Sequence, residues 1–154
     1  LNIHVGAHYN DKPMALGNFC RNFHRLSEAA RTRLTVENDD KASLYSTKEL
    51  YDSVYSEIGI PIVHDVHHHK FCTGDIDDEE AMLLAAMTWG DVKPVIHYSQ
   101  SRSIEHDDPK IRANAHSDSY WEPVDTYGLD IDVMLECKHK EIGLFKMREL
   151  MEET

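Results

Sequence analysis

The sequence has little cysteine and no paired-cysteine motif. Its three cysteines, Cys20, Cys72 and Cys137, are odd in number and far apart, and no C-x-x-C pattern occurs. This spacing does not support a zinc ribbon or a disulfide framework, and it fits free thiols in a reducing compartment. We therefore expect a protein that is not secreted and is either cytoplasmic, in a prokaryote or a virus, or nuclear.

Long apolar runs and nucleotide-binding loops are also missing. No stretch approaches the roughly 18 apolar residues of a membrane-spanning helix, and no secretory leader is visible, so we expect no membrane partner. Neither G-x-G-x-x-G nor a Walker A loop occurs, which weakens the case for a nucleotide-binding fold. A chain of 154 residues with 41% hydrophobic residues is long enough for one domain with a real core.

Positive charge is scarce. The 16 Lys and Arg residues are outnumbered by 28 Asp and Glu residues, which gives a net charge of −12. This balance argues against nucleic-acid binding through a broad basic surface. Some of the carboxylates could instead face bound cations. The 11 histidines, three of them consecutive at residues 67–69, raise the same question about metal.

What the sequence does contain is an alternation of strand and helix patterns. Short apolar runs predict five strands, at residues 1–5, 34–37, 60–65, 93–97 and 131–136. Apolar residues at helical spacing predict four helices, at about residues 13–30, 46–58, 77–88 and 138–152. The polar residues 99–114 indicate a long loop with room for a short helix. Repeated strand–helix units imply a parallel sheet, which fits a TIM barrel or a doubly wound sheet.

Each predicted strand ends in a residue that can bind a metal ion. These residues are His4, Glu37, Asp65, His97 and Glu136. In a TIM barrel the carboxyl ends of the strands converge on the face that holds the active site. Their nitrogen and oxygen donors suit zinc, manganese or iron rather than a thiolate site. A single strand-end histidine is more often structural, so the metal prediction depends on the five positions together.

Two further segments could extend this site. Asp65 and His68 could bind adjacent metals from one turn, whereas the neighbouring His67 and His69 are expected to be structural. His116 lies in a polar segment that, taken alone, favours a surface loop. Clusters of carboxylates and imidazoles that hold several divalent ions can hydrolyse phosphodiesters, with two metals about 3.5–4 Å apart sharing a bridging carboxylate. Glu37 is the candidate bridge.

Several of these segments follow the motifs of one known family, in the same order. Glu37 lies in L-T-V-E-N-D-D at residues 34–40, and Asp65 lies in I-P-I-V-H-D-V-H-H-H at residues 60–69. Further matching segments are I-H-V-G at 3–6, H-Y-S at 97–99 with Arg102, A-H-S-D at 115–118 and D-V-M-L-E-C-K at 132–138. Together they resemble the UV damage endonuclease family over nearly the whole chain.

The resemblance implies an α/β fold, a TIM (β/α)8 barrel related to endonuclease IV and to the xylose-isomerase-like barrels. Residues 1–154 would be the C-terminal portion of one endonuclease domain and would supply roughly the last five strand–helix units. The N-terminal half of the barrel would be missing or supplied elsewhere. The implied activity is nicking of UV-damaged double-stranded DNA immediately 5′ to a photolesion.

The resemblance also implies roles for single residues. Up to three divalent ions are implied, usually manganese, although zinc and iron share these donors. The implied metal ligands are His4, Glu37, Asp65, His68, His97, His116 and Glu136. The implied catalytic residues are Glu37, Asp65 and Glu136. The implied DNA contacts are Asn38, Tyr98, Arg102 and Lys138.

Two alternatives remain open at the level of sequence. A xylose-isomerase-like sugar isomerase or epimerase would use fewer metals and a substrate pocket instead of a DNA groove. An incomplete, non-catalytic fragment would bind metal without acting on DNA. The E-N-D-D and triple-histidine motifs favour the nuclease. The family's earlier strand, with a further ligand histidine, has no counterpart before Leu1, which favours the fragment.

Overall fold

The structure, a computed structural model, describes residues 1–153. Its five strands form one parallel sheet in the order β1-β2-β3-β4-β5. Consecutive units of a TIM barrel have this sequential order, whereas a doubly wound sheet reverses its strand order at a switch point. Among residues 1–153, no helix has the length and apolar character needed to cross a membrane.

The elements alternate as the sequence predicts. The strands are β1 (Asn2–Ile3), β2 (Thr35–Glu37), β3 (Ile62–Asp65), β4 (Val95–Tyr98) and β5 (Asp132–Leu135). The helices are α1 (Lys12–Phe23), α2 (Glu28–Arg31), α3 (Thr47–Glu49), α4 (Ser56–Ile58), α5 (Val66–His69), α6 (Asp78–Met87), α7 (Arg102–Glu105) and α8 (Glu141–Glu152), with a π-helical segment (Leu50–Tyr55) between α3 and α4. β3 and β4 start later than predicted, after Pro61 and Pro94, because proline has no N–H to donate to a neighbouring strand.

Two helix predictions are wrong in their bounds. The predicted helix at 13–30 is two helices, because α1 ends at Phe23 and the Ser27 hydroxyl accepts from a backbone N–H to cap a new helix. The last helix begins at Glu141 rather than near Lys138. The backbone N–H of Lys138 instead donates to the carbonyl of Ser117 at 3.1 Å, and residues 138–140 form a turn before the helix.

Three helix ends carry caps that their residue types favour. The Ser46 hydroxyl accepts from the backbone N–H of Glu49, and the Glu49 carboxylate accepts from the backbone N–H of Ser46 at 2.9 Å, which completes a capping box. Lys12 pairs with Glu49 at 2.7 Å and so ties the start of α1 to α3. Asp77 caps α6, and Gly59 ends α4 with a φ of 66° that favours glycine.

Alternate strand residues face opposite sides of the sheet. Val36 and Ile62 face the helices and are fully buried with α1 and the π-helical segment, and Ile96 is buried in a second cluster with Met82 and Met147. The next residues along these strands therefore face the concave side of the sheet. They include the acids and imidazoles that the sequence places at the strand ends.

Candidate metal centre

Glu37 lies at the centre of the polar cluster. Its side chain is 7% exposed, and its Oε1 lies 3.4 Å from the Nδ1 atoms of both His68 and His97. Its Oε2 lies 3.8 Å from Nε2 of His4. Three imidazoles from three different elements thus approach one carboxylate. This is the arrangement that a carboxylate shared between metal ions requires.

Asp65 holds a helix with one oxygen and leaves the other unpaired. Its Oδ1 accepts from the backbone N–H of His68 at 2.8 Å and caps α5. Its Oδ2 is buried without a hydrogen-bond partner and lies 3.7 Å from Nε2 of His68. A buried carboxylate oxygen without a partner is costly. A divalent cation is a chemically suitable partner, so the donor set fits a metal.

His97 supports the same conclusion from β4. Its Nδ1 is buried and makes no hydrogen bond of good geometry, although it lies 3.4 Å from Glu37 and 3.1 Å from Glu136. Two groups of ligand atoms are close enough together to hold an ion: His4 with Glu37 and His68, and Glu37 with Asp65 and His97. Glu37 belongs to both groups, as expected of a bridging ligand.

Asn38 fixes the positions of two of these ligands. Its side-chain Oδ1 accepts from the backbone N–H of Asp65 at 2.7 Å, and its Nδ2 donates to the Asp65 carbonyl at 3.1 Å. Its own carbonyl accepts from Nδ1 of His68 at 3.0 Å. A carbonyl can only accept, so Nδ1 carries the proton and Nε2 is left free as a ligand atom.

The sequence predicts a DNA contact at Asn38, but its side chain is occupied within the protein. Its side chain is fully buried, and both amide atoms are occupied by the backbone of Asp65. The side chain of Tyr98, a second predicted DNA contact, also lies inside the protein. Because His97 faces the concave side, Tyr98 faces the helices, where it is buried, stacks on Tyr120 and accepts from Nε2 of Gln100.

The β5 side of the centre consists of Glu136 and His116. Nδ1 of His116 lies 3.5 Å from the Glu136 carboxylate, and the two side chains are 31% and 34% exposed. Residues 99–118 fold back on themselves through an antiparallel bridge between Ser101 and His116. This brings the His116 ring within 5.8 Å of the His68 ring. The structure thus brings all seven predicted metal ligands to one face of the sheet.

Burial and mutual charge set the protonation of the cluster. Burial disfavours the charged form of Glu37, but the nearby imidazoles of His97, His4 and His68 outweigh it, and the pKa of Glu37 is lowered. The same carboxylate overcomes burial to raise the pKa of His97. A hydrogen bond with Asp39 raises the pKa of His4, and burial raises the pKa of Asp65. The metal-free cluster therefore retains protons that a divalent ion would displace.

His67 and His69 have the structural environment that the sequence favours. His67 is fully buried, with its ring packed edge-on against Phe71 at 5.3 Å and against His116 at 5.6 Å. Burial lowers the pKa of His67 to about 4. His69 packs 5.2 Å from His64, on the helix side of the sheet. Neither histidine belongs to a group of potential ligands within residues 1–153.

Arg102 and Lys138 lie at the rim of the centre, on its β5 side. They are 37% and 47% exposed and lie 3.2 Å and 3.7 Å from the Asp118 carboxylate. His106 and Glu105 complete a third acid–imidazole group with Asp118. The Glu105 oxygens already accept backbone N–H groups at 2.6 and 2.9 Å, and Asp118 pairs with His106 at 2.7 Å. This group forms an ion-pair network with its own partners.

Two residues near Glu37 were missed by the sequence reasoning. Asp39 lies 3.3 Å from Nδ1 of His4. The Asn2 side chain donates to Oε2 of Glu37. Both could have been found from the sequence, because residues two apart on a strand face the same side of the sheet. Asn2 is two residues before His4, and Asp39 is two residues after Glu37.

Comparisons with known proteins agree with this geometry. The family model described as UV-endonuclease UvdE matches residues 1–154. A UV DNA damage endonuclease of Bacillus velezensis is 35% identical over 97% of this chain and 47% of its own length. A UV-damage endonuclease of Neurospora crassa is 33% identical over 94% of this chain and 23% of its own length.

A solved structure, the crystal structure of SacUVDE, matches with a TM-score of 0.83 and 31% identity, over 99% of this chain and 50% of that one. The chain thus spans about half the length, or less, of the relatives that it matches. The likeness confirms that the sheet is part of a TIM barrel. Because the family model covers every residue, the chain belongs to the UV-endonuclease UvdE family.

Proposed function

We propose that the full-length protein carrying this chain is a metal-dependent DNA repair endonuclease. It nicks the phosphodiester bond 5′ to UV photolesions in double-stranded DNA. Residues 1–154 supply the C-terminal portion of its single TIM-barrel domain. The relatives named as UV DNA damage endonucleases support this assignment.

The observation that carries the proposal is a pair of potential metal-ligand atoms near Glu37 that are buried without hydrogen-bond partners. The Asp65 Oδ2 and His97 Nδ1 atoms are buried without hydrogen-bond partners and converge on the Glu37 carboxylate. Such a set is costly unless a cation completes it. The ligands would be His4, Glu37, Asp65, His68, His97, His116 and Glu136. We propose manganese, the ion that the family resemblance implies, for up to three positions, although zinc and iron share these donors.

Divalent ions at this centre would activate water, orient the phosphate and neutralise charge on the leaving oxygen. The protein's own part is to hold the ligands in fixed positions. Asn38 fixes Asp65 and the proton of His68, and the short α5 helix presents His68 beside Asp65. Glu37, Asp65 and Glu136 supply the negative charge that offsets the cations.

Bound metal ions would also offset part of the negative charge that opposes DNA binding. The chain has a net charge of −12, but several of its carboxylates lie in the metal centre. Ions bound there would neutralise those carboxylates at the point where a phosphate would approach. Arg102 and Lys138 stand at the rim of the same face and are proposed to contact DNA phosphates.

The test is a nicking assay with the full-length protein. Metal is removed with EDTA, and Mn²⁺, Zn²⁺ or Mg²⁺ is then restored to separate samples. We expect irradiated plasmid to be nicked only after metal is restored, and most rapidly with Mn²⁺. An end-labelled duplex with a single photolesion should be cut on the damaged strand, immediately 5′ to the lesion.

The His24→Gln variant is a control for the loss of an imidazole outside the candidate metal centre, because His24 is exposed at the end of α1. It should retain both activity and metal content. Equal nicking with and without EDTA would contradict the metal dependence. A metal-loaded full-length protein that leaves irradiated DNA intact would instead indicate a non-catalytic metal-binding protein.

A further inference from the structure

Below Glu37, on the concave face of the sheet, two polar side chains form a chain of hydrogen bonds that ends on its carboxylate. We propose that Asn2 and Thr35 are positioning residues that aim the Glu37 carboxylate at the metal ions. This inference rests on the proposed function. It concerns residues outside the set of ligands named above.

The strand pairing places these side chains together. Asn2 on β1 is the direct partner of Thr35 on β2, so the two residues lie side by side on one face. The Thr35 hydroxyl donates to Oδ1 of Asn2 at 2.8 Å. The Asn2 amide nitrogen then donates to Oε2 of Glu37. Glu37 is two residues beyond Thr35 on the same strand and therefore faces the same side.

The hydrogen bonds run in one direction only. An ionised carboxylate accepts and cannot donate, so Asn2 must present its NH2 group to Glu37. The hydroxyl of Thr35 stabilises this orientation, because it supplies a donor to the amide oxygen. A flipped amide would place two oxygens against each other. Thr35 therefore acts on Glu37 through Asn2, without contacting the carboxylate itself.

As a consequence, the two oxygens of the Glu37 carboxylate face different imidazoles. Oε2 is held by Asn2 and lies toward His4, while Oε1 points between His68 and His97. Rotation of the carboxylate would break the hydrogen bond from Asn2. The contact thus keeps Oε2 directed at His4 and Oε1 directed at His68 and His97. Partners of this kind, which orient a metal ligand from behind, typically change metal affinity by about 10–100-fold when removed.

The experiment measures Mn²⁺ binding to the full-length protein by the electron paramagnetic resonance signal of free Mn²⁺. The variants are Asn2→Leu, Thr35→Val, Thr35→Ser and the double variant Asn2→Leu with Thr35→Val. Val has nearly the shape of Thr without its hydroxyl, and Ser keeps the hydroxyl. We expect Asn2→Leu to weaken Mn²⁺ binding about 10–100-fold, Thr35→Val to weaken it by up to the same factor, and Thr35→Ser to bind like the parent.

The double variant tests whether Thr35 acts through Asn2. If it does, adding Thr35→Val to Asn2→Leu causes no further loss, whereas independent effects would multiply. Multiplying effects would overturn the relay. Unchanged Mn²⁺ affinity in both single variants would overturn the whole inference, even if their metal-free melting temperatures fall, because a purely structural role predicts that pattern. A parent protein that binds no Mn²⁺ would instead count against the proposed function.

Discussion

The two sides of the candidate metal centre are held very differently. On the β2–β3 side, the Glu37 and Asp65 side chains are 7% and 0% exposed. On the β5 side, His116 and Glu136 are 31% and 34% exposed. The Asp65 side chain accepts a hydrogen bond from the backbone of His68, whereas the Glu136 carboxylate contacts the imidazoles of His97 at 3.1 Å and His116 at 3.5 Å.

The difference follows from the neighbours of each strand. β3 lies between β2 and β4, and Asn38 joins the ends of β2 and β3 through the backbone of Asp65. Within residues 1–153, β5 pairs with β4 alone, and Met134 on its concave side is 53% exposed. Charges interact more strongly where water is excluded. Glu37 belongs to two groups of potential ligands, whereas Glu136 and His116 belong to neither, so we expect the β2–β3 side to dominate metal binding.

The largest expected effect comes from Glu37→Gln compared with Glu136→Gln. Gln keeps the shape of the side chain but removes the charge that offsets the cations. We expect Glu37→Gln to lower nicking by about 1,000-fold or more, since the charge stabilisation lost is several kcal/mol. Glu136→Gln should cost less, on the order of 10–100-fold, because Glu136 belongs to neither of the two groups of potential ligands that share Glu37.

The measurement is nicking of irradiated plasmid by full-length variants, together with their metal content by elemental analysis. Glu37→Gln should lose metal and keep its fold, as judged by circular dichroism. Full metal content and parental nicking in this variant would rule out the bridging role. Equal losses in the two variants would show that the two sides do not differ.

A second test addresses the rigidity of the β2–β3 side. Asn38→Ala removes two hydrogen bonds to a buried backbone and leaves those groups unpaired, so we expect it to lower the free energy of unfolding by about 2–4 kcal/mol. The exposed Asn22→Ala is the control and should change stability by less than about 0.5 kcal/mol. Urea denaturation in EDTA measures both without the contribution of metal. Similar values for the two variants would mean that Asn38 does not brace the centre.

Much of the fold was predictable because it depends on local patterns. Apolar runs of strand length are fixed by residues close in sequence, and all five predicted strands occur in the structure. The positions of Glu37, Asp65 and His97 followed from one rule, that parallel strand ends converge on one face of a barrel. The break between α1 and α2 was missed because apolar residues continue at helical spacing across it, while only Ser27 marks a new start.

The parts that could not be predicted depend on contacts distant in sequence. His116 reaches the centre only because its loop pairs with Ser101, and nothing in the local sequence of the loop indicates that pairing. The direction of Tyr98 was predictable, since it must face away from His97, but the family motif drew attention to it as a DNA contact. For Asn38 the motif indicated importance, and the structure shows that its amide braces Asp65.

A third test uses pH to probe a buried residue between the two sides. Burial holds the pKa of His67 at about 4, below the roughly 6.5 of an unfolded chain. As pH falls from about 6.5 to about 4, His67 becomes protonated in the unfolded chain but stays neutral in the folded protein, so the free energy of unfolding decreases. Stability therefore rises with pH from about 4 to 6.5, by about 2–3 kcal/mol from this residue.

His67→Phe should flatten this part of the pH profile, because Phe cannot titrate and still packs against Phe71. Urea denaturation in EDTA between pH 4 and 7 measures the change. The His24→Gln variant, which alters an exposed imidazole, should retain the parental slope. A His67→Phe profile as steep as the parent's would assign the acid sensitivity to the ligands themselves.

The smallest expected effect is that of Arg102→Gln and Lys138→Gln, which test whether the β5 side of the centre faces DNA. Arg102 and Lys138 flank Asp118 at the rim, whereas Lys93 is occupied by Asp130 and Asp132 at the opposite end of β4. A lost phosphate contact should weaken binding uniformly across sequences and reduce the slope of log affinity against log salt by about one. We expect this reduction for Arg102→Gln and for Lys138→Gln, with about a 3–10-fold loss of affinity at low salt, and no change of slope for Lys93→Gln.

Fluorescence anisotropy with undamaged duplex and EDTA-treated protein gives the slopes without cleavage. Because these substitutions leave the ligands around Glu37 intact, we expect the reduced slope to occur with unchanged Mn²⁺ affinity, which would show that Arg102 and Lys138 contact DNA without contributing to metal binding. Parental slopes in both variants would show that the DNA lies elsewhere.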